Sequence, residues 1–169
     1  MSNPPKALKV VNNSGTTIDS IVIFHAYDLL AEKGDTLYTY KGSLANGQPG
    51  PTVSVSDENF HTGLDDEWYL MCNIADQETG QRLAFMNSKG WKQDNVSHSD
   101  TSITFFVKNQ LDQYKYDANI FVEPSDGTSP SDFWLEGYGH GGEQPDWLGK
   151  IFLDAGIKIA EAVIEIGGE

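Results

Sequence analysis

The side chains that could do chemistry directly are few in this sequence. Cys72 is the only cysteine, so no internal disulfide can form. It sits in EWYLMCNIA, where Trp68, Leu70, Cys72 and Ile74 share one strand face. That setting predicts a small core residue, because a reactive thiol needs an electropositive, accessible site. His25, His61, His98 and His140 are scattered and lack zinc-ligand spacing. His25 falls on the strand face that carries Ile21 and Ile23, as a satisfied, partly buried imidazole. The other three lie in predicted loops without a matched nucleophile. The densest acidic cluster, Asp65-Asp66-Glu67 near Asp57 and Glu58, lacks EF-hand spacing and reads as solvated loop charge. No phosphate loop, nucleophile elbow or HExxH is present. The expectation is a non-enzymatic protein with no catalytic residue, no metal and no cofactor.

Aromatic side chains give the positive signal. Trp91, Tyr114, Tyr116, Trp134 and Tyr138 fall in or beside predicted loops and strand ends, which makes them the ligand-binding candidates. Such rings can cage quaternary ammonium groups or stack on sugars. The competing reading is that they pack the core or pin a long loop. Lys plus Arg number 11 against 25 Asp plus Glu, a net charge of −14. Phosphate neutralisation needs clustered cations, so this balance argues against nucleic acid and against a surface relying on anionic lipid. A zwitterionic lipid or a glycan remains as the partner, with self-association or a second protein component as further options.

The elements that must position these rings are mostly strands. The chain has 169 residues, enough for one domain with a sizeable core. Hydrophobic periodicity predicts strands over 7–11, 17–26, 36–41, 53–55, 67–75, 82–86, 101–108 and 114–122. Ile103, Phe105 and Val107 share one face. Turn signals at this spacing predict an antiparallel β-sandwich of about eight strands over 1–122. Residues 123–145, rich in Gly and Pro, read as a long loop. Asp146 then N-caps an amphipathic helix over 146–169. Its polar stripe is Lys150, Asp154, Lys158, Glu161 and Glu165, and Gly167-Gly168 ends it. The run IVIF (21–24) is apolar at every position. Val22 and Phe24 are expected to face the inter-sheet core, and Ile21, Ile23, His25 and Tyr27 to face outward beneath that helix. Between the first two strands, NNSG suits a three-residue hairpin loop with Gly15 at positive φ.

Taken in order, VVNNSGTTIDSIVIFHAY, KGSLANG, FHTGLDDEWYLMCNI and GWKQDNVSHSDTSITFFV resemble a family of uncharacterised proteins. That family is named for up-regulation in long-lived insulin-receptor mutants. The likeness spans about 7–107. Many members carry a Gly/Ala-rich apolar insertion before the GWKQ segment, where this chain has only FMNSK (85–89). More distantly, the V-x-N-x-SG-x-T start is similar to that of actinoporins, and the acidic single-domain sandwich resembles aegerolysins. The resemblance implies recognition of a membrane or lipid head group, as in a toxin or defence system. A glycan-binding, lectin-like module and a structural protein acting through its C-terminal helix are the alternatives. The start MSNPPKALKV has no apolar signal core, which predicts cytoplasmic synthesis with any release by a non-classical route.

Overall fold

The computed structural model describes residues 5–26, 34–56, 66–75, 82–87, 90–93, 102–109, 120–125 and 133–140. They form strands β1 (Lys6–Asn13), β2 (Ile18–Ala26), β3 (Gly34–Leu44), β4 (Val53–Val55) and β5 (Asp66–Ala75), followed by β6 (Arg82–Met86), β7 (Trp91–Gln93), β8 (Ser102–Asn109), β9 (Ile120–Pro124) and β10 (Glu136–His140). A four-stranded sheet has the order β4-β1-β8-β9. A six-stranded sheet has the order β10-β6-β5-β2-β3, with β7 also on β5. The fold is mainly β in two sheets, and the described residues contain no helix. The helix expected over 146–169 lies outside the described residues.

Alternation builds the core between the sheets. Leu8 and Val10 of β1 and Ile103, Phe105 and Val107 of β8 point inward from one sheet. Trp68, Leu70, Cys72 and Ile74 of β5 meet them from the other, as expected from the sequence. Cys72 is fully buried, and burial, with the charge of Asp19 second, pushes its thiol well above the ordinary range. It is core, not a nucleophile.

Several expectations are corrected. The sandwich is not wholly antiparallel, because β1 and β8 run parallel from Ala7↔Ser102 to Asn13↔Lys108. Asp66 is not a loop residue but opens β5 opposite Gln93, and Glu67, expected as the first residue of that strand, follows opposite Lys92. Residues 123–145 are not one loop. Phe133 and Leu135 are buried core, and the backbone bonds Val122 N to Phe133 O (2.9 Å) and Leu135 N to Ile120 O (2.9 Å) extend the four-stranded sheet. The same segment then continues as β10 on the edge of the six-stranded sheet, so 133–140 closes one side of the sandwich. These ladders were hidden because the sequence there is interrupted by Gly and lacks period-2 patterning.

A further correction concerns β2. Ile18, Ile21 and Ile23 face the inter-sheet core, and the His25 ring lies 4.5 Å from Trp68. Val22 and Phe24 take the opposite face, also buried. The cause is a bulge. Ser20 has φ 53°, and the register of β2 shifts between Asp19 and Ile21 against β3 and by Val22 against β5. One extra residue inverts the side-chain phase of everything after it.

NNSG is a corner rather than a hairpin, since β1 and β2 belong to different sheets. Asn12 is fully buried and its amide is fully used. Nδ2 donates to Thr16 O (2.6 Å) and Leu44 O (2.8 Å), and Oδ1 accepts from Ser14 N (3.0 Å) and Ser14 Oγ (2.7 Å). Gly15, at φ 85°, donates its N–H to Asn46 Oδ1 (2.9 Å). The LANG turn, with Gly47 at φ 84°, therefore docks on the NNSG corner and ties the two sheet crossings together.

Candidate functional site

The outer face of the four-stranded sheet carries the side chains left over from the core. In β8 the inward Ile103, Phe105 and Val107 alternate with half-buried Thr104, Phe106 and Lys108. In β9 the buried Ile120 and Val122 alternate with half-buried Phe121 and Glu123. Parallel pairing adds Lys9 and Val11 from β1 beside Thr104 and Phe106. Residue 134 pairs antiparallel with 121, which sets Trp134 next to Phe121 with ring centroids 5.4 Å apart and tilted by 47°.

Two rows result. Lys108 sits opposite Phe121, which sits opposite Trp134. Val11 sits opposite Phe106, which sits opposite Glu123. Lys108 Nζ and Glu123 Oε2 form an ion pair that joins the rows diagonally. The face thus presents three half-exposed aromatic rings beside two cations and one anion. Apolar rings with a polar margin suit a boundary between water and an apolar or ring-shaped ligand.

The sequence candidates are dispersed by the fold. Trp134 lies on this face. Trp91 does not: it is buried, stacked on Phe133 (5.3 Å, 19°) and edge-on to Phe105 (6.5 Å, 87°) between the sheets. Its expected role as a ligand platform is corrected to a core role, because β7 pairs with β5 at Trp91↔Trp68 and turns the indole inward. Between β6 and β7 the side chain of Asn87 replaces ladder bonds. It donates to Trp68 O (2.9 Å) and accepts from Leu70 N (2.9 Å), so the strand can break and restart on the same neighbour. Tyr138 has its backbone in β10, with its side chain outside the described part. Tyr114 and Tyr116 lie outside the described residues, as do His61 and His98.

Phe106 and Phe121 belong to the face and were missed by sequence reasoning. The signal that could have found them is phase: each is an aromatic out of step with the inward residues of its own strand.

The six-stranded sheet has a different outer face. Val22, Phe24, Tyr69, Met71, Asn73, Ala84 and Met86 are all buried there, on the side away from the other sheet. Burial, with the Glu67 charge second, pushes the Tyr69 hydroxyl up to about 12.

Among the described residues no group of three or more His, Cys, Asp or Glu could hold a metal ion. No helix among them is long and apolar enough to cross a membrane. No protein-family model matches the chain, and no curated protein matches its sequence.

Proposed function

We propose that this protein is a non-enzymatic module that recognises a membrane or lipid head group through the outer face of its four-stranded sheet. The observation that carries the reading is the Phe121–Trp134 pair, with Phe106 diagonal to it and the Lys108–Glu123 ion pair alongside. Half-exposed Trp and Phe gain from the interfacial region of a bilayer, where the ring is sheltered and the indole N–H stays wet. Charges of both signs beside the rings suit a zwitterionic head group, and the net charge of −14 disfavours an anionic surface. The resemblance to actinoporin-like and aegerolysin-like sandwiches supports the same reading by analogy of fold.

The test is co-sedimentation with vesicles of phosphatidylcholine, sphingomyelin or ceramide-containing lipid. Binding to at least one is expected, and Phe121→Ala/Trp134→Ala should lose it while remaining folded. A chain that ignores every vesicle overturns the reading. A signal on a glycan array that depends on Trp134 would favour the lectin-like alternative, which no longer has Trp91 to draw on.

In the same reading, the amphipathic segment 146–169 covers the outer face of the six-stranded sheet. That segment follows β10, which lies on the edge of the same sheet. Deleting 146–169 should leave an insoluble or dye-binding protein. A folded, soluble product would assign that segment to partner binding instead.

A further inference from the structure

Asn46-Gly47, at the exposed tip of the LANG turn, is the one Asn-Gly pair in the sequence. In a free chain such a pair cyclises readily, because glycine has no Cβ to shield its nitrogen. The Gly47 nitrogen gives its proton to water and bonds to Asn46 Cγ. The Cγ–Nδ2 bond breaks, and the amide leaves as ammonia. Water then opens the succinimide ring at either carbonyl. Attack at Cγ gives aspartate. Attack at the Asn46 backbone carbonyl gives isoaspartate, in which the chain runs through Cβ and Cγ.

The fold holds the reacting atoms apart. Gln48 N donates to Ala45 O (3.1 Å), Gly47 has φ 84°, and Asn46 does not have a positive φ, so 45–48 is a type II turn. Ring closure needs the Gly47 nitrogen to eclipse Asn46 Cβ. The second residue of a type II turn has ψ of about 120°, which rotates that nitrogen well away from Cβ. The Gly47 N–H is also tied down, donating to Asn12 O (2.5 Å), and Asn12 N–H grips the same turn at Gln48 O (3.0 Å). One contact works the other way. Asn46 Oδ1 accepts from Gly15 N–H (2.9 Å), which draws electrons from Cγ. An activated carbon gains nothing from a nitrogen that cannot reach it, so the turn geometry decides.

We propose that Asn46-Gly47 is a latent modification site, silent while the LANG turn sits on the NNSG corner and reactive once that turn lifts away. Its isoaspartate product makes the opening a one-way step. The added backbone atom lengthens the turn, and the free carboxylate now hangs from Cα instead of Cβ. Neither the Ala45–Gln48 bond nor the Gly15 N–H bond can re-form as before. The aspartate product keeps its oxygens on Cγ and can dock again. Local openings cost less than global unfolding, and chemical change in an opened state makes the loss of structure irreversible.

The test ages full-length protein at mildly alkaline pH, folded and in urea. The peptide carrying Asn46 is mapped for the mass gain of amide-to-acid exchange, and for isoaspartate by enzymatic methyl labelling. The unfolded chain should convert first at Asn46, and the folded chain at least about tenfold more slowly. Asn12→Ala loosens the corner and should speed conversion in the folded state by about tenfold. Should Asn12→Ala not fold, wild type in urea below its transition takes its place, and conversion should rise before circular dichroism falls. Equal rates in folded and unfolded wild type overturn the proposal. So does an unfolded chain that reacts elsewhere first, or conversion that rises only with global unfolding. The two products separate the one-way step from the site itself. Refolded isoaspartate chain should melt below wild type, whereas Asn46→Asp should melt with it. An isoaspartate chain that melts like Asn46→Asp overturns the one-way step.

Discussion

The two outer faces of this sandwich have opposite fates. On the six-stranded sheet, Val22, Phe24, Tyr69, Met71, Ala84 and Met86 are as buried as the inter-sheet core. On the four-stranded sheet, Lys9, Thr104, Phe106, Lys108, Phe121 and Glu123 stay half-exposed. Composition explains the first: β5 and β2 are apolar on both faces, so neither face can be left to water. The second face mixes rings with charges, which tolerates water and also an apolar surface. One face is therefore committed to the fold and the other is available for recognition.

The largest effect should come from placing one charge on each face. Met71→Asp buries a carboxylate with no partner and should cost about 5 kcal/mol, enough to unfold most domains. Phe106→Asp places the same charge on a half-exposed position and should cost about 1 kcal/mol or less. Urea melts of the two variants check the contrast. Equal losses would erase the distinction between the faces.

Asn12→Ala attacks the frame from which both faces hang. It leaves Ser14 N, Ser14 Oγ, Thr16 O and Leu44 O without their buried partner. The expected loss is about 4 kcal/mol, somewhat less if water enters the corner. Both faces should fail in one transition, and a Trp134 fluorescence change that precedes the circular-dichroism change would show that they are independent.

Much of this architecture was legible in residue patterns. The faces of β5 and β8 follow from strict alternation, and Gly15 and Gly47 stand where positive φ is needed. The phase of β2 was not legible. Nothing in TTIDSIVIF announces that Ser20 adopts a left-handed backbone, and without that bulge a period of two puts Val22 and Phe24 on the wrong side. The strand at 136–140 was hidden by its glycines. The site was half legible, because Trp134 reads as an isolated aromatic until its pairing with Phe121 is known. Trp91 looked equally available, and only its register against Trp68 turns it inward. Long-range pairing decides such cases, and a single sequence does not encode it locally.

Alkaline titration sharpens the comparison further. Burial pushes Tyr38, in the inter-sheet core, and Tyr69, on the covered outer face, up to about 12. An unfolded tyrosine titrates near 10, so the folded state holds these protons more tightly. Stability from each ring is fully present below pH 10 and is lost as pH rises from 10 toward 12. The loss is about 2 to 3 kcal/mol per ring. Tyr69→Phe should remove roughly half of that alkaline drop. Absorbance at 295 nm reads the ionisation directly. A Tyr69 that titrates near 10 would mean that the six-stranded sheet's outer face is open.

The smallest effect belongs to the face proposed for recognition. Phe121 and Trp134 are half-buried and lean on each other at 5.4 Å, so each contributes some packing. Trp134→Ala should cost about 1 kcal/mol of stability, because a tilted pair at the surface adds little beyond the area it buries. The Lys108–Glu123 pair is about as exposed as the rings, and Lys108→Ala should change stability by about 0.5 kcal/mol or less. These small losses make the face testable. Vesicle binding that falls tenfold in Trp134→Ala, in a chain whose melting temperature has barely moved, places the aromatic pair in recognition. A stability loss as large as that of Met71→Asp would instead return the pair to the core.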